Sequence, residues 1–372
     1  MSSIAKIVRA KGTMWQARWF DPEGRLRKQS FPRKIDAERH LITLDADKLR
    51  GSYIDPAAGR VSLEDYAEQW RASQPHRATT AKAVEQHLRC YILPALGSRP
   101  LSSIRPSEVQ AWATGLSKKI APSTTRTVTN TLKSVFKAAG RDRLITHNPC
   151  DGLVLPRVPP RRVVPLTVEQ VDLLIAGTPE QYRALTILGV GTGLRAGELF
   201  GLQVRHINFL RRTLSVEQQV QQMAGHGVYT CEPKTPSSYR TVPLPQVVVD
   251  ALAEHLALHP AGPDGWLFSA PEGGPIVRTS FVHSAWGPAC RAAGLRGVGM
   301  HAMRHFYASA LIRGGLSVKV VSERLGHANA AMTLNVYAHL WPDDEDRTRA
   351  ALDELLGNSR SPSIPQTGSP GA

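Results

Sequence analysis

The sequence has few of the features that mark secreted, membrane or metal-binding proteins. Its first residues, MSSIAKIVRAKGT, contain neither an apolar run nor a small-residue cleavage site, so we expect no secretory signal. The uncharged apolar stretch at residues 184–194 is too short to span a bilayer and contains three glycines. The four cysteines are far apart and lack CxxC or zinc-finger spacing, which argues against structural disulfides and metal sites. We therefore expect a soluble cytoplasmic protein with no metal and no membrane partner.

Acidic residues are scarce relative to basic ones. The 372 residues include 46 Lys and Arg against 31 Asp and Glu, which gives a formal net charge of +15 and a pI near 10.0. A surplus of this size suits a polyanionic partner, and a nucleic acid is the default expectation. A ribosome-associated protein, or one made basic by genome composition alone, would show the same balance. The length and the 42% hydrophobic content allow two or three domains.

The first block of the chain, to about residue 55, is predicted to be a small sheet with a helix. Three stretches have strand character and a fourth has helical character: residues 4–9, 13–20, 25–31 and 34–50. Alternation along the strands places Trp19 on one face and leaves Arg18, Arg25 and Arg27 for the open face, where they can enter a DNA groove. A solvated basic sheet explains these residues equally well.

The second block, residues 61–156, is predicted to be all-helical. Its helices are expected to begin at or near polar residues that favour helix starts: Ser62, Thr79, Ser107 and Ser123. The last helix has only a thin apolar stripe, and its polar face includes Thr125, Arg126, Thr129 and Lys133. Hydroxyl groups interspersed with basic side chains suit hydrogen bonds to phosphates and sugars, so Arg126 and Lys133 are candidate DNA contacts. A solvated helix face is the competing interpretation.

Segments rich in proline or polar residues separate and follow the blocks. The stretch LPRVPPRRVVPLT, residues 155–167, has four prolines and three arginines and is predicted to be a hinge, with residues 157–165 as the linker proper. The third block, residues 166–356, mixes helices with a hairpin. The tail, residues 357–372, is low in hydrophobicity and is predicted to be disordered.

The third block contains side chains suited to phosphate chemistry. In GTGLRAGELFGL, residues 191–202, a glycine-flexible turn places Arg195 at the start of a helix, where it can meet a phosphate while Glu198 fixes its rotamer. Lys234 comes just before a Pro-Ser-Ser turn and is predicted to sit at a hairpin tip that reaches into a substrate groove. Either motif alone is weak evidence, because a surface lysine at a turn is commonplace.

Two further motifs follow toward the C-terminus. In HAMRHFYASALIRGG, residues 301–315, His301 and Arg304 fall beside the apolar stripe of a helix and can share one ligand. In LGHANAAMTLNVYAHL, His327 follows a helix end and Tyr337 lies ten residues beyond it. Taken alone, Tyr337 is more simply an aromatic on the buried face of a short helix. Taken together and in this order, however, the arginines, the lysine, the histidines and the late tyrosine of these motifs are the side chains that covalent attack on a phosphodiester needs.

The motifs resemble those of the tyrosine recombinase family, the phage integrases and their relatives. TGLRAGEL is similar to the first arginine box of that family, HAMRH to its His-x-x-Arg box, and LGHANAAMTLNVYAH to its box of histidine and nucleophile. The resemblance implies a multidomain fold: a small α+β N-terminal domain with a three-stranded sheet and a helix, an all-α SAM-like core-binding domain, and a mainly α catalytic domain with a small β-hairpin sheet. The N-terminal domain, residues 1–55, would be an arm-type DNA-binding domain of the phage-type integrases.

The resemblance also implies roles for the matched residues. The implied set comprises six catalytic residues and one supporting residue: Arg195, Lys234, His301, Arg304, His327 and Tyr337, with Glu198 in support. The arginines and His301 would hold the scissile phosphate, His327 would add a hydrogen bond, and Lys234 would protonate the leaving 5′ hydroxyl. Tyr337 would be the nucleophile that forms a 3′-phosphotyrosyl link. Because that link keeps the energy of the broken bond, no metal, ATP or other cofactor is expected.

The implied function is integration and excision of a mobile element by a site-specific recombinase in the bacterial cytoplasm, associated with the nucleoid. The implied partners are double-stranded DNA with core and arm attachment sites, further copies of the chain in a tetramer on DNA, an accessory DNA-bending protein and an excision factor. The last predicted helix, which contains Leu352 and Leu355, would dock on a neighbouring copy or pack on its own chain. The alternatives are an Xer-like resolvase or invertase, a type IB topoisomerase, and a catalytically inactive DNA-binding regulator.

Overall fold

The computed structural model of the protein describes residues 2–9, 12–21, 24–49, 58–159, 162–223, 227–341 and 345–357. The chain divides into two compact units, Met1–Pro159 and Pro160–Ala372. Three predicted features lie partly or wholly outside the described residues: the end of the first block near residue 55, the linker at residues 160 and 161, and the tail beyond Gly357. In the part of the chain that is described, no helix is long and apolar enough to cross a membrane.

The N-terminal sheet forms because apolar and polar residues alternate along its strands. Its elements, within two residues of the predicted bounds, are β1 (Ser3–Arg9), β2 (Gly12–Phe20), β3 (Leu26–Phe31) and α1 (Lys34–Leu49). The sheet is antiparallel in the order β1-β2-β3. Ala17 and Trp19 of β2 are buried against Ala37, Leu41 and Leu44 of α1. The helix therefore covers one face of the sheet and gives it a core of its own.

The open face of this sheet differs from the prediction in one residue. Arg27 pairs across the strands with Trp19, on the face that α1 covers, and its Nε lies 3.1 Å from a carboxylate oxygen of Asp21. The prediction that Arg27 lies on the open face is therefore wrong. Arg18 does lie on that face, opposite Lys28, and both are exposed. The exposed basic pair of the sheet is thus Arg18 and Lys28.

The second block is helical in its described residues. Its helices are α2 (Leu63–Ser73), α3 (Ala78–His87), α4 (Leu93–Leu96), α5 (Pro106–Ser117) and α6 (Pro122–Arg141). A π-helical turn, Leu88–Ile92, joins α3 to α4. Ser62 caps α2 by accepting the backbone N–H of Asp65, and a proline occupies the first turn of both α5 and α6. The apolar faces of these helices meet in one core, which includes Trp70 and Phe136.

Helix α6 buries more of its surface than predicted. Eight of its residues are buried, among them Thr125 and Thr129, whose hydroxyls donate to the carbonyl four residues earlier. The prediction of a thin apolar stripe is wrong, because these threonines face the core. Arg126 and Lys133 are exposed, as the predicted DNA contacts require, and Lys133 Nζ lies 3.0 Å from Asp151.

The second unit combines a larger helical core with two small sheets. Its helices are α7 (Val168–Gly177), α8 (Glu180–Thr192), α9 (Ala196–Phe200), α10 (Gln246–Leu258), α11 (Arg278–Phe281), α12 (Gly287–Ala292), α13 (His301–Arg313), α14 (Val318–Leu325), α15 (Ala330–Tyr337) and α16 (Glu345–Gly357). Its strands are β4 (Ile207–Asn208), β5 (Thr213–Val216), β6 (Gln219–Met223), β7 (Gly227–Cys231) and β8 (Arg240–Pro243). The main core includes Leu185, Leu188 and Phe200.

The two sheets determine where Lys234 lies. One sheet has the order β4-β5-β8, and β6 pairs with β7 in an antiparallel hairpin. In that hairpin Met223, at the end of β6, pairs with Gly227, at the start of β7, whereas Lys234 follows the opposite end of β7. The prediction that Lys234 sits at the hairpin tip is therefore wrong. It lies exposed in the loop that leads into β8 and Arg240.

A second, smaller core in this unit surrounds Tyr337. It includes Val242 of β8, Tyr307 of α13 and Leu325 of α14. Two local features of the backbone lead the chain into this core. Gly326 ends α14 in the left-handed conformation, and Asn329 caps α15 by accepting the backbone N–H of Met332. Tyr337 is only 1% exposed.

Candidate active site

Glu198 lies at the centre of a group of arginines. Arg195 precedes α9, so both its backbone N–H and its Nη1 reach the carboxylate of Glu198, at 2.9 and 2.8 Å. Arg240 donates to both carboxylate oxygens, at 2.8 and 3.2 Å. Burial alone would raise the pKa of Glu198, but the hydrogen bonds and charges of Arg240 and Arg195 outweigh it and lower the pKa to about 2. The carboxylate is therefore ionised and fixes both guanidinium groups.

Three arginines also bind successive backbone carbonyls at the C-terminal end of α14. Arg240 Nε, Arg304 Nη2 and Arg195 Nη2 donate to the carbonyl oxygens of residues 324, 325 and 326, at 2.9, 2.6 and 3.1 Å respectively. The last carbonyls of a helix lack helical partners and carry partial negative charge, so this helix end attracts cations. Three arginine side chains from distant parts of the unit are thereby held at one helix end, directly before His327.

Two glycines make this arrangement possible. Gly326 has φ of +63°, and a Cβ at this position would lie 2.9 Å from a terminal nitrogen of Arg240. Gly193, at the end of α8, also has φ of +63°, and a Cβ there would clash with the ring of Tyr307. The carbonyl of Gly193 accepts a hydrogen bond from Arg304 Nη1 at 2.9 Å. Both positions therefore require glycine for the backbone conformation and for space.

Arg304 carries its charge in almost complete burial. It is 1% exposed, and both of its terminal nitrogens donate to backbone carbonyls. Burial and repulsion from Arg195 lower the pKa of Arg304 to about 9, so the guanidinium stays charged at neutral pH. Together with Arg195, it provides a fixed positive field suited to a phosphate.

His301 and His327 lie within the field of these arginines as neutral imidazoles. Burial lowers the pKa of each to about 4, and the nearby positive charge, including that of Arg304, acts in the same direction. His327 Nδ1 lies 2.8 Å from the hydroxyl of Thr333, which is buried. At neutral pH each histidine is uncharged and has one N–H to donate.

The hydroxyl of Tyr337 contacts a histidine that the sequence analysis did not single out. His305 Nδ1 lies 2.7 Å from Tyr337 Oη, and the two rings meet at 66° with their centroids 5.6 Å apart. Burial raises the pKa of Tyr337 to about 12, although the charge of Arg304 acts against it. The phenol is therefore protonated at neutral pH.

Most of the predicted catalytic residues come together. Those linked by hydrogen bonds or by their electrostatic effect on one another are Arg195, Glu198, His301, Arg304, His327 and Tyr337. Lys234 is exposed in the loop six residues before Arg240. The arrangement offers several cationic or neutral donors to an anion beside a phenol. Within the described ranges, no cluster of three or more His, Cys, Asp or Glu side chains is suited to hold a metal ion.

Sequence analysis missed three residues of this group. His305 stands one helical turn after His301 in the quoted HAMRH motif, so its spacing was a usable signal. Arg240 opens a strand of alternating character, which gave no indication that its side chain would bind Glu198. Arg278, the first residue of α11, is exposed and contributes to the lowered pKa of His301, and no sequence pattern distinguished it.

Comparison with known proteins assigns the chain to a family. Residues 165–343 match the model of the phage integrase family, and residues 63–154 match that of the phage integrase central domain. The chain is 30% identical over 328 residues to the tyrosine recombinase XerC-like protein of Caldanaerobacter subterraneus subsp. tengcongensis, which covers 80% of this chain and 84% of the relative. The chain belongs to the phage integrase family of tyrosine recombinases.

Other relatives extend the match. This recombinase is 26% identical over 368 residues to the putative prophage phiRv2 integrase of Mycobacterium tuberculosis, with 95% of this chain and 96% of the relative covered. The Tn1549 transposon integrase, solved in complex with transposon right end DNA, superposes with a TM-score of 0.69 at 26% identity, covering 80% of this chain and 100% of that one. A lambda integrase tetramer bound to a Holliday junction shares the fold, with a TM-score of 0.58 at 19% identity over 91% of this chain and 95% of that chain.

The comparisons confirm the predicted family and fold class, and the chain is a tyrosine-type site-specific recombinase. The role of each catalytic residue and the domain boundaries stay predictions.

Proposed function

We propose that this recombinase integrates and excises a mobile element by cleaving and rejoining DNA through a 3′-phosphotyrosyl link on Tyr337. The observation that carries the proposal is the buried phenol held beside Arg304, in the same group as Arg195 and two neutral histidines. A phenol needs a neighbouring electrophile to act as a nucleophile, and a cationic group of this kind binds a phosphodiester.

The arginines would hold the scissile phosphate. Arg195 and Arg304 are fixed by Glu198 and by backbone carbonyls, so they are positioned before the DNA arrives. Extra negative charge develops on the nonbridging oxygens as the phosphorus is attacked, and fixed guanidiniums stabilise that charge without reorganising. His301 and His327 would each donate an N–H to the same oxygens.

The covalent step would exchange one phosphodiester for another. Tyr337 Oη attacks the phosphorus, the bond to the 5′ oxygen breaks, and Lys234 supplies the proton that this oxygen takes up. A 5′ hydroxyl from a second duplex then attacks the phosphotyrosyl link and releases Tyr337. The number of phosphodiester bonds is unchanged, so the cycle needs no ATP, and the proposal includes no metal.

The proposed partners are double-stranded DNA and further copies of this chain. The Tn1549 relative is described in complex with transposon right end DNA, and the lambda relative as a tetramer on a Holliday junction. For this chain we propose a tetramer on core and arm attachment sites, with an accessory DNA-bending protein and an excision factor, in the bacterial cytoplasm. Residues 1–55 would bind arm sites, and residues 61–156 and 166–356 would bind and cleave the core site, joined by the linker 157–165.

Candidate DNA contacts outside the active site follow from exposure. Arg18 and Lys28 are exposed on the open face of the N-terminal sheet, Arg25 is exposed just before β3, and Arg126 and Lys133 are exposed on α6. These positions suit contacts to phosphates, which position a protein on DNA without reading its sequence. Arg27 is left out, because it lies on the covered face and pairs with Asp21.

A second candidate function is resolution or inversion between two identical sites. It is favoured by the 30% identity to the XerC-like relative, whose alignment covers 84% of that protein. The two functions differ in their substrates, because an integrase joins two different attachment sites and a resolvase recombines two copies of one site. Plasmids carrying each pair of sites, with products counted by sequencing across the junctions, separate the two.

The proposal is tested by trapping the covalent link. The unaltered protein and the variant Tyr337→Phe are incubated in EDTA with labelled duplexes that carry a candidate attachment site nicked near the scissile phosphate. We expect a denaturation-resistant adduct from the unaltered protein only. An equal adduct from the phenylalanine variant, or no adduct on DNA that is demonstrably bound, would remove Tyr337 from the mechanism.

A further inference from the structure

The contact between His305 and Tyr337 is the part of this site that the proposed roles do not explain. His305 Nδ1 lies 2.7 Å from Tyr337 Oη, at the length of a direct hydrogen bond. The proposed function assigns the phosphate donors and the acid that protonates the 5′ oxygen. It does not say where the proton of the phenol goes when Tyr337 Oη bonds to phosphorus.

The two protonation states allow this hydrogen bond to run from the phenol to the imidazole, and the tautomer of His305 sets its direction. Burial lowers the pKa of His305, and the charge of Arg304 lowers it further, so the imidazole is neutral at pH 7. Tyr337 is a protonated phenol, because burial raises its pKa to about 12. In the tautomer with its hydrogen on Nε2, His305 accepts the phenolic O–H at Nδ1, and the pair is then satisfied.

The other groups around the phenol are less suited to accept a proton. Arg304 acts on Tyr337 electrostatically but is a charged donor whose nitrogens already bind carbonyls. His301 meets the ring of His305 edge to face, with centroids 4.6 Å apart, and its pKa is lowered to about 4. With its hydrogen on Nε2, His305 is thus the neutral acceptor in direct contact with the phenol.

We propose that His305 is the general base of DNA cleavage by this recombinase, an inference that rests on Tyr337 being the nucleophile. As the Oη–P bond forms and the P–O5′ bond breaks, the phenolic proton moves to His305 Nδ1. When a 5′ hydroxyl attacks the phosphotyrosyl link, His305 returns the proton to Tyr337, so the residue is unchanged after one full cycle.

The same contact keeps the nucleophile inactive before DNA binds. At rest the proton stays on Tyr337, because burial and the charge of Arg304 disfavour an imidazolium at His305. A phosphate beside Arg304 adds negative charge, which favours the imidazolium and so favours transfer. Proton transfer is therefore coupled to occupation of the site by a phosphodiester.

The test separates proton acceptance from simple positioning. His305→Asn places an amide oxygen near the position of Nδ1, so it accepts a hydrogen bond but takes up no proton, and His305→Ala removes both properties. His283→Asn, at an exposed position between α11 and α12, is the matched control. Single-turnover adduct formation is measured on a duplex carrying the core site that the unaltered protein selects from a random pool.

Each duplex is prepared with either oxygen or sulfur as the 5′ bridging atom of the scissile phosphate. A thiolate leaves without a proton, so sulfur relieves a missing general acid but not a missing general base. We expect His305→Asn and His305→Ala to slow adduct formation about 10²- to 10⁴-fold on both duplexes. The rate for Lys234→Ala should recover on the sulfur duplex. His305→Asn should bind the duplex and melt as the unaltered protein does. The rate of adduct formation by the unaltered protein should fall at low pH, where His305 is protonated, and His305→Asn should not show this fall.

The outcomes distinguish this inference from the proposed function. If Tyr337→Phe still forms the adduct, the proposed function fails and the inference fails with it. If the adduct depends on Tyr337 but His305→Asn cleaves at the unaltered rate with an unaltered pH profile, the inference alone is overturned. Recovery of His305→Asn on the sulfur duplex would likewise overturn it, because His305 would then act on the leaving group.

Discussion

At the scale of single residues, Glu198 makes a cationic site compatible with a folded protein. Arg195, Arg240 and Arg304 bring three positive charges close together, and Glu198 is the carboxylate that binds two of them. Removing one partner of a buried ion pair leaves the other charge uncompensated, which costs far more than an exposed pair contributes. Glu198 thus supports both the stability of the unit and the geometry of the phosphate site.

Replacing Glu198 by glutamine tests this role. We expect Glu198→Gln to lower the free energy of unfolding by about 3 kcal/mol at pH 7, because two guanidiniums lose their counter-charge. Because the folded pKa is about 2, below the usual range, this carboxylate contributes stability that is complete above about pH 5 and is lost as the pH falls toward 2. The difference in free energy of unfolding between the variant and the unaltered protein, measured by urea titration, should therefore become smaller below pH 5. Glu254→Gln, exposed on α10, is the control, and a gap independent of pH would contradict the assignment.

Residue spacing predicted the members of the site better than their contacts. Arg195 with Glu198 and His301 with Arg304 were recognisable because each pair is three residues apart at or beside a helix. The bond from Tyr337 to His305 and the bonds from Arg240 to Glu198 join residues 32 and 42 positions apart. Such contacts depend on how α13, α15 and β8 pack, and no local pattern encodes that packing.

At the scale of elements, the C-terminal end of α14 organises the site. Its last carbonyls accept hydrogen bonds from three arginines, and Gly326 then turns the chain toward His327. The position of one helix end therefore determines the position of several functional side chains.

Gly326→Ala tests this dependence against a matched glycine. A left-handed alanine alone costs about 1 kcal/mol, and at Gly326 the added Cβ also displaces Arg240. Gly294 has φ of +68° and open space around a Cβ, so Gly294→Ala bears only the backbone cost. We expect Gly326→Ala to lose more stability in thermal unfolding and at least tenfold in the rate of adduct formation. Equal behaviour of the two variants would show that Arg240 does not depend on this turn.

The N-terminal sheet allows a similar paired test. Arg18 and Lys28 lie on the open face, whereas Arg27 lies on the face that α1 covers and pairs with Asp21. We expect Arg18→Gln and Lys28→Gln each to weaken binding to arm-site DNA about threefold to tenfold and to reduce its salt dependence, with little change in stability. Arg27→Gln should instead lower the melting temperature. A loss of DNA affinity from Arg27→Gln alone would reverse this assignment of faces.

Local signals predicted most elements of the fold. The strands of the first block, the cap at Ser62 and the helix that begins at His301 match the sequence because alternation, capping and apolar spacing are local properties. The predictions were wrong where tertiary packing determines which side chains are buried and where a loop residue lies. Thr125 and Thr129 look polar in sequence but satisfy their hydroxyls within α6 and face the core, and the position of Lys234 depends on which strands pair.

At the scale of the whole molecule, the separate roles proposed for the N-terminal sheet and the catalytic residues predict that integration and core-site cleavage can be separated. We expect a deletion of residues 1–55 to weaken integration between two attachment sites by at least tenfold while sparing cleavage of an isolated core site, because the N-terminal sheet has its own core. Integration is measured by junction sequencing and cleavage by adduct formation. Equal loss of both activities would contradict an arm-binding role.

The last helix, α16, predicts how copies assemble on DNA. Leu352 and Leu355 are 53% and 72% exposed, an arrangement that water disfavours and that burial against a second copy would relieve. We expect Leu355→Ser to reduce the fraction of tetramer on a junction DNA, measured by analytical ultracentrifugation, while single copies still bind a half-site. Asp353→Ser, at an exposed position on the same helix, should leave assembly intact. If Leu355→Ser instead lowers the melting temperature of the free protein without changing assembly, α16 packs against its own chain.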